Sequence, residues 1–453
     1  MTEETAPAAP VGGPRTGDAR RDVNAAAVLR AVVDHGPVAR GRVAALTGLS
    51  PAAVSRQVVD LVRLGLLRER PESAAPGAGS VGRPQLPVDV DTGRIAVAGL
   101  HIGLPYTTFA FLDPRGNVLH RRELSNRGRT GRAVLRPLLE RLPRLLAAAP
   151  DGRTVVGLGA VTGGSVDRER GLIVRHDPLR WRDLPLAALL SDASGLPVQV
   201  DNHARALAQA EILFGHPAAR RSMVHLFVGH VVDAALAVAG TVHVGPASPT
   251  GDVAHLPVPD SDLLCHCGRT GCLAVAASDT TLFEAAAAEG ITEQPDRAAF
   301  LAAVQAGDPR ADRLVRRRAE VIGRALALLA DVVNPDLLVL TETFALLDPA
   351  YLDVVRTEFA RRSHLRRDAD LLIAQQRGAD VLAVAAGAAA LTALHTRPVH
   401  ALTAVPRPHR PAPHRPAPHR LTPNPLAPNP LTPNPLAPNP PTPQAPSRRG
   451  PHS

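Results

Sequence analysis

Three cysteines are the chain's whole supply, and all of them fall between residues 265 and 272, as Cys265, Cys267 and Cys272. A fourth soft ligand, His255, lies ten residues before the first. One imidazole and three thiolates are the ligand set of a closed, tetrahedral structural zinc site. Cys265 and Cys267 are too close for an easy disulfide, while Gly268 and Gly271 let the loop turn back so that Cys272 reaches the same point. His255, Cys265, Cys267 and Cys272 are therefore the expected ligands of a structural Zn2+. His266 sits inside the loop and is expected to be exposed rather than ligating. The alternative is a metal-free loop of small reduced thiols in a core.

The chain has 453 residues, which implies two or three folded units. It is 45% hydrophobic with a mean hydropathy near zero, as suits a globular protein. No lysine is present, so arginine supplies all the positive charge. The net charge of +9 suggests nucleic acid, but seven arginines and no acid lie in residues 397–453, so the rest is close to neutral. No signal peptide is expected, and the longest apolar runs, such as Val381 to Leu394, read as too short to span a bilayer. Clustered cysteines read as reduced thiols or metal ligands, which fits the cytoplasm.

Residues 1–20 are rich in Ala, Pro, Gly and Thr and are expected to be disordered. Residues 21–88 are predicted to form a winged helix-turn-helix, and 71–85 its loop. From 93 to 396 strand and helix patterns alternate, which predicts an α/β body in which 255–272 is the metal loop. Residues 397–453 repeat Pro-His-Arg and then Thr-Pro-Asn-Pro-Leu units, and are expected to be a disordered, extended tail.

The N-terminal module has the signals in order. A helix over 24–34 ends at Gly36-Pro37, a second covers 38–46, and Thr47-Gly48-Leu49 makes a sharp turn. Ser50 can cap a third helix with Pro51 at its first position, where a missing N–H costs nothing. Val54, Val58, Leu61 and Val62 give that helix its inward stripe, and a strand follows at 66–70. Such a module places the start of its third helix in the DNA major groove. Ser50, Ala52, Ala53, Ser55, Arg56 and Gln57 are the candidates there: Arg56 and Gln57 for bases, Ser50 and Ser55 for phosphate, Ala52 for close approach or a thymine methyl. Arg40 and Arg42 suit the backbone, and Arg83 in the wing suits the minor groove. The alternative is a small three-helix interaction domain.

With the zinc loop and this head, residues 21–396 resemble the ROK family of repressors, open reading frames and sugar kinases, and in particular its xylose and N-acetylglucosamine repressor type. The resemblance implies two actin/hexokinase-like lobes with a cleft between them. It also implies where kinase chemistry would sit. The family's Asp-x-Gly-x-Thr phosphate loop corresponds to His101-Ile102-Gly103-Leu104-Pro105, and Pro105 cannot donate an N–H to phosphate. Its Gly-Thr-Gly corresponds to Gly229-His230-Val231, and its glycine-rich adenosine segment to Thr341-Glu342-Thr343. In its Asn-Asp-Ala stretch, His203 stands where the base aspartate would be. Of the sugar contacts, Asn202 and His255 match, Asp252 replaces a glutamate, and Ala274 replaces another.

The expectation is a cytoplasmic, dimeric, zinc-containing regulator, most simply a repressor. It would bind a roughly palindromic double-stranded operator, sense a sugar-like effector and lack enzyme activity. The alternatives are an active sugar kinase with a DNA-binding head, or a ligand-less scaffold acting through its tail or dimer surface.

Overall fold

The computed structural model describes residues 16–71, 86–150, 152–245, 251–259, 261–365, 368–375 and 377–403. Helices α1 (Thr16–His35), α2 (Arg40–Thr47) and α3 (Pro51–Arg63) are followed by strands β1 (Leu67–Glu69) and β2 (Val88–Val90), which pair antiparallel. Gly48 ends α2 at φ 68°, a left-handed conformation that favours glycine. Ser50 Oγ accepts the Ala53 N–H at 3.3 Å, and Pro51 takes the first position of α3. Val54, Val58 and Leu61 of α3 share a buried core with Val28, Leu29 and Val32 of α1.

The body is two lobes of one topology. In the first, β3 (Ile95–Ile102), β4 (Tyr106–Leu112) and β5 (Val118–Ser125) form an antiparallel meander. Helix α4 (Arg132–Ala147) leads to β6 (Thr154–Thr162), parallel to β3. A small sheet of β7 (Ser165–Asp167), β8 (Leu172–His176) and β9 (Trp181–Leu184) precedes α5 (Leu186–Ser194), β10 (Val198–Asn202) and α6 (His203–Phe214). The strand order is β10-β6-β3-β4-β5.

The second lobe repeats the scheme with the meander β11 (Ser222–Val228), β12 (Val232–Val238) and β13 (Thr241–Val242). Helices α7 (Leu273–Ala277), α8 (Asp279–Ala288), α9 (Arg297–Gln305) and α10 (Pro309–Val333) precede β14 (Leu337–Glu342), parallel to β11. Then come α11 (Thr343–Leu347), α12 (Pro349–Arg362) and β15 (Leu372–Ala374), giving the order β13-β12-β11-β14-β15. Helices α13 (Val381–Thr396) and α14 (Pro398–Thr403) complete the described chain.

Helix α13 lies against the first sheet at very short range. A Cβ on Gly159 would meet Ala386 O at 2.0 Å, and one on Gly99 would meet Gly387 N at 2.8 Å, so both strands need glycine there. The helical stretch Gly378–Thr396 is longer than the apolar run in the sequence indicated, and by length and composition it could cross a membrane. It is instead a core helix, buried from Ala383 to Thr392 between the sheet and α6.

Two ends differ from expectation. Helix α1 begins at Thr16, inside the stretch expected to be disordered, because its first turns are tied down. Arg21 Nη2 donates to Asp60 Oδ2 at 2.7 Å, and the buried Asp22 accepts the N–H groups of Val399 and His400 at 2.9 and 3.2 Å. The second contact caps α14, so residues 398–403 are a helix docked on the head rather than the start of an extended tail. The tail calls from 404 onward, and the wing Arg83, lie outside the described residues. Strand β5 was not anticipated: its polar sequence fits an edge strand paired only with β4.

The head is not strung on a linker. One apolar core runs from Val28, Leu29 and Leu61 of the head through Val97 and Leu112 of the first sheet. It continues to Leu213 of α6 and to Leu391 and Leu394 of α13.

Candidate functional site

Four side chains from residues 255–272 converge at the metal loop. The ligand atoms of His255, Cys265, Cys267 and Cys272 all lie within 4.8 Å of one another. Cys267 Sγ is 3.6 Å from Cys272 Sγ, and Cys265 Sγ is 3.7 Å from His255 Nδ1. Ligands at ordinary zinc distances stand about 3.8 Å apart for two sulfurs and about 3.6 Å apart for sulfur and nitrogen, so the set fits a tetrahedral ion. Gly268 and Gly271 turn the loop at φ 86° and 68°. The Arg269 guanidinium pulls the Cys267 thiol down to about 6, while burial and the neighbouring thiols push Cys272 up to about 11. His266 is exposed as expected, although its Nδ1 also stands 3.6 Å from Cys265 Sγ.

The loop forms one wall of a cleft of about 680 Å³, which Asn202, Asp252 and His255 all line. The structure thus brings together the three predicted ligand contacts, but Asn202 is already engaged. Its Oδ1 accepts the N–H groups of Ala204 and Arg205, capping α6, while its Nδ2 donates to Gly164 O at 2.9 Å and Asp233 Oδ2 at 3.2 Å. The cleft's arginines are paired as well. Arg205 Nε donates to Asp201 at 2.7 Å, and Arg175 holds Asp177 at 2.6 Å.

Behind the cleft lies a histidine cluster, two of whose members, His101 and His203, stand where the sequence departs from the kinase pattern. His203, buried at the start of α6, has Nε2 3.0 Å from Asp233 Oδ2, yet off the direction a hydrogen bond needs, so both ring nitrogens lack a hydrogen-bond partner. Its ring is stacked at 5.8 Å from His101 and packs 4.2 Å from the Phe227 ring. Burial, with His203 nearby, pushes His101 down to about 3 and His225 to about 3, and burial pushes His176 to about 4. Asp233, His176 and His225 were not singled out in the sequence, because only the fold makes them neighbours.

The Thr341-Glu342-Thr343 segment is also occupied from within. Arg318 is buried on α10. It donates to Glu342 at 2.8 Å, Asp279 at 2.7 Å and Ala277 O at 2.6 Å, with its guanidinium over the Phe344 ring. Glu342 in turn accepts the Ala345 N–H and caps α11.

On the head, Ala52 and Arg56 are exposed on α3, with Ser50 at its start and Ser55 half-buried. Arg42 is exposed, and Arg40 is paired with Glu69 at 2.6 Å. Gln57 corrects the sequence expectation: it is 7% exposed, on the inward stripe with Val54, Val58 and Leu61, and its Oε1 is unpartnered. Three residues past Val54, it falls on the buried side of the helix.

Head and cleft meet through α6. Its C-terminal carbonyls are held by guanidiniums, with Leu213 O accepting from Arg30 of α1 at 2.8 Å and Ile212 O from Arg220 at 3.1 Å. Arg220 also grips Asp34 of α1 through two bonds of 2.8 and 3.0 Å, and Arg30 pairs with the same carboxylate. These guanidiniums hold the Asp34 carboxyl below its usual range against the opposing pull of burial.

Comparison with known proteins agrees with this geometry. The ROK family model matches residues 97–394. Transcriptional regulator Rv0485 of Mycobacterium tuberculosis is 35% identical over 397 residues, covering 84% of this chain and 88% of that protein. A crystal structure of a ROK family transcriptional regulator, a homolog of the E. coli MLC protein, superposes with TM-score 0.70 at 23% identity, covering 85% of this chain and all of that one. A ROK family glucokinase from Streptomyces griseus, solved with glucose and AMPPNP, superposes with TM-score 0.57 at 23% identity, over 64% of this chain and 98% of its own.

Proposed function

The chain belongs to the ROK family, and from that premise we propose that it is a DNA-binding transcriptional regulator, a repressor, whose kinase-like body serves as a receptor. The observation that carries this is the continuous apolar core joining a helix-turn-helix head to α6, the helix whose N-terminus lines the cleft. Twelve residues of α helix span about 18 Å, so α6 is a rigid strut between ligand and DNA. A sugar-like metabolite in the cleft shifts the lobes, α6 moves, and the clasp of Arg30, Arg220 and Asp34 carries the shift to α1. Coupling of this kind is of order 1–3 kcal/mol. The protein acts as a cytoplasmic homodimer on a roughly palindromic site, with Ser50, Ala52, Ser55 and Arg56 of each head at the major groove and Arg40, Arg42 and Arg83 near the backbone and minor groove.

His255, Cys265, Cys267 and Cys272 hold a structural Zn2+, which fixes the wall that carries His255 against the cleft. Phosphoryl transfer is not part of this function. It needs a base for the hydroxyl, backbone donors for phosphate and an open nucleotide site. Here His203 stands where the family's carboxylate base would be, Pro105 removes a donor, and Arg318 engages Glu342 of the adenosine segment from within.

The test is to incubate the full chain with sheared genomic DNA at physiological salt and sequence what it retains. A small set of sites sharing an inverted repeat is expected, and Arg56→Ala should weaken binding to them about tenfold or more. Diffuse, salt-sensitive retention with no shared motif, or ATP turnover on a panel of sugars, would overturn the proposal.

A further inference from the structure

The outward face of α3 carries a side chain that neither the fold nor the proposed function above uses. Val54, Gln57, Val58 and Leu61 turn inward, whereas Ala52, Arg56, Val59 and Arg63 turn outward. Val59 is 58% exposed. A β-branched residue is a poorer helix former than alanine or arginine, and at this position it gains no burial in return. Val23 and Leu46 of the head are exposed too, but they lie on α1 and α2. Val59 alone shares a helix face with two guanidiniums: Arg56 stands one turn before it, and Arg63, 70% exposed and 3.4 Å from Asp60 of the same helix, one turn after.

An apolar side chain set between two cations matches one surface closely. The major groove presents thymine C5 methyl groups between rows of phosphates, and guanine N7 and O6 accept both forks of an arginine. Three residues of helix advance about 4.5 Å, close to the 3.4 Å rise of one base pair. We propose that Val59 is a specificity-determining residue that packs on the methyl group of a thymine, at or next to the base pair that Arg56 reads. This rests on the DNA-binding function proposed above, and it adds a residue that polar-contact reasoning passes over, because valine donates and accepts nothing.

The experiment uses the full chain and the strongest site recovered from genomic DNA. Each thymine of one half-site is replaced singly by deoxyuridine, which removes only the methyl, and Kd is measured at fixed salt for the wild type, Val59→Ala and Val59→Thr. Near the guanine whose contact Arg56→Ala abolishes, one thymine should lose about fourfold in affinity on demethylation with the wild type, the worth of one buried methyl. Val59→Ala should bind that site about as weakly as the wild type binds the demethylated one, and should be indifferent to the change. Val59→Thr, which keeps a methyl at the branch, should retain part of the discrimination. Equal sensitivity of the wild type and Val59→Ala to every demethylation would overturn the inference, as would a change in oligomeric state on Val59→Ala, which would give the valine to a second copy of the chain. Failure to recover any specific site would instead remove the DNA-binding function itself.

Discussion

The metal loop and the histidine floor border the same cleft, yet they are assembled in opposite ways. The loop draws its four ligands from residues 255–272, so the turns that join them also aim them. The floor draws His101, His176, His203 and Asp233 from the end of β3, the end of β8, the start of α6 and the start of β12. Nothing in the local sequence of any one of these implies the others. A locally closed site depends on its own few residues, while a floor made of strand ends depends on the two sheets being in place. The two should fail differently when perturbed.

The largest effect is expected at the loop. Cys272→Ala, or prolonged chelation of the wild type, should abolish stoichiometric zinc and lower Tm by about 10 °C or more, since structural zinc supplies folding free energy directly. Elemental analysis and calorimetry on the same samples check this. A metal-free protein as stable as the untreated one would leave the loop a cluster of reduced thiols and erase its contrast with the floor.

The buried hub in the second lobe comes next, because it is non-local like the floor but ionic. Arg318→Ala leaves Asp279 and Glu342 buried with their counter-charge gone, and should cost about 3–5 kcal/mol in urea unfolding. Arg318→Met, which fills the space without charge, should cost more than the double variant Asp279→Asn/Glu342→Gln on the Met background, because only the latter removes the stranded carboxylates. If Arg318→Ala costs less than about 1 kcal/mol, the hub is not what closes the adenosine segment.

The floor itself is probed by acid. His101 and His225 are held down to about 3, and His176 to about 4, all mainly by burial, while the unfolded chain titrates its histidines near 6.5. Between those values the unfolded state takes up protons that the folded state refuses. Stability is therefore highest above about pH 6.5 and falls as pH drops toward 4, by up to about 1.4 kcal/mol per pH unit for each such group. His101→Asn should flatten this acid limb by about one group's share. Unfolding free energies at pH 7, 6 and 5, for the wild type and this variant, check it.

These contrasts explain what the sequence disclosed and what it withheld. The Ser50-Pro51 cap locates the start of α3 to the residue. The cluster of His255, Cys265, Cys267 and Cys272 is legible because spacing carries the chemistry. The altered kinase motifs were legible as substitutions, but the ionic hub behind one of them was not, because Arg318 on α10 and Glu342 on β14 meet only across the lobe. Gln57 misled for a related reason: its chemistry suits base reading, while its phase on the helix puts it inside. Strand β5 and the sheet β7–β8–β9 escaped notice because edge and excursion strands carry many polar side chains and weak alternation.

The smallest effect expected is at the far end of α6, and it tests whether the head is welded to the body or merely rests on it. Asp34 receives Arg220 through two bonds and Arg30 through others, all only partly buried. Asp34→Asn keeps the shape but removes the charge, so the loss in stability should be near 1 kcal/mol, as for other partly exposed ion pairs. Asp22→Ala, which uncaps α14, should cost a similar amount. If the apolar core shared by α1, α6 and α13 is the weld, both variants should still unfold in one transition by calorimetry, with head and body melting together. A separate early transition in Asp34→Asn would mean that the polar clasp holds the head, and that α6 passes its movement through charge rather than through packing.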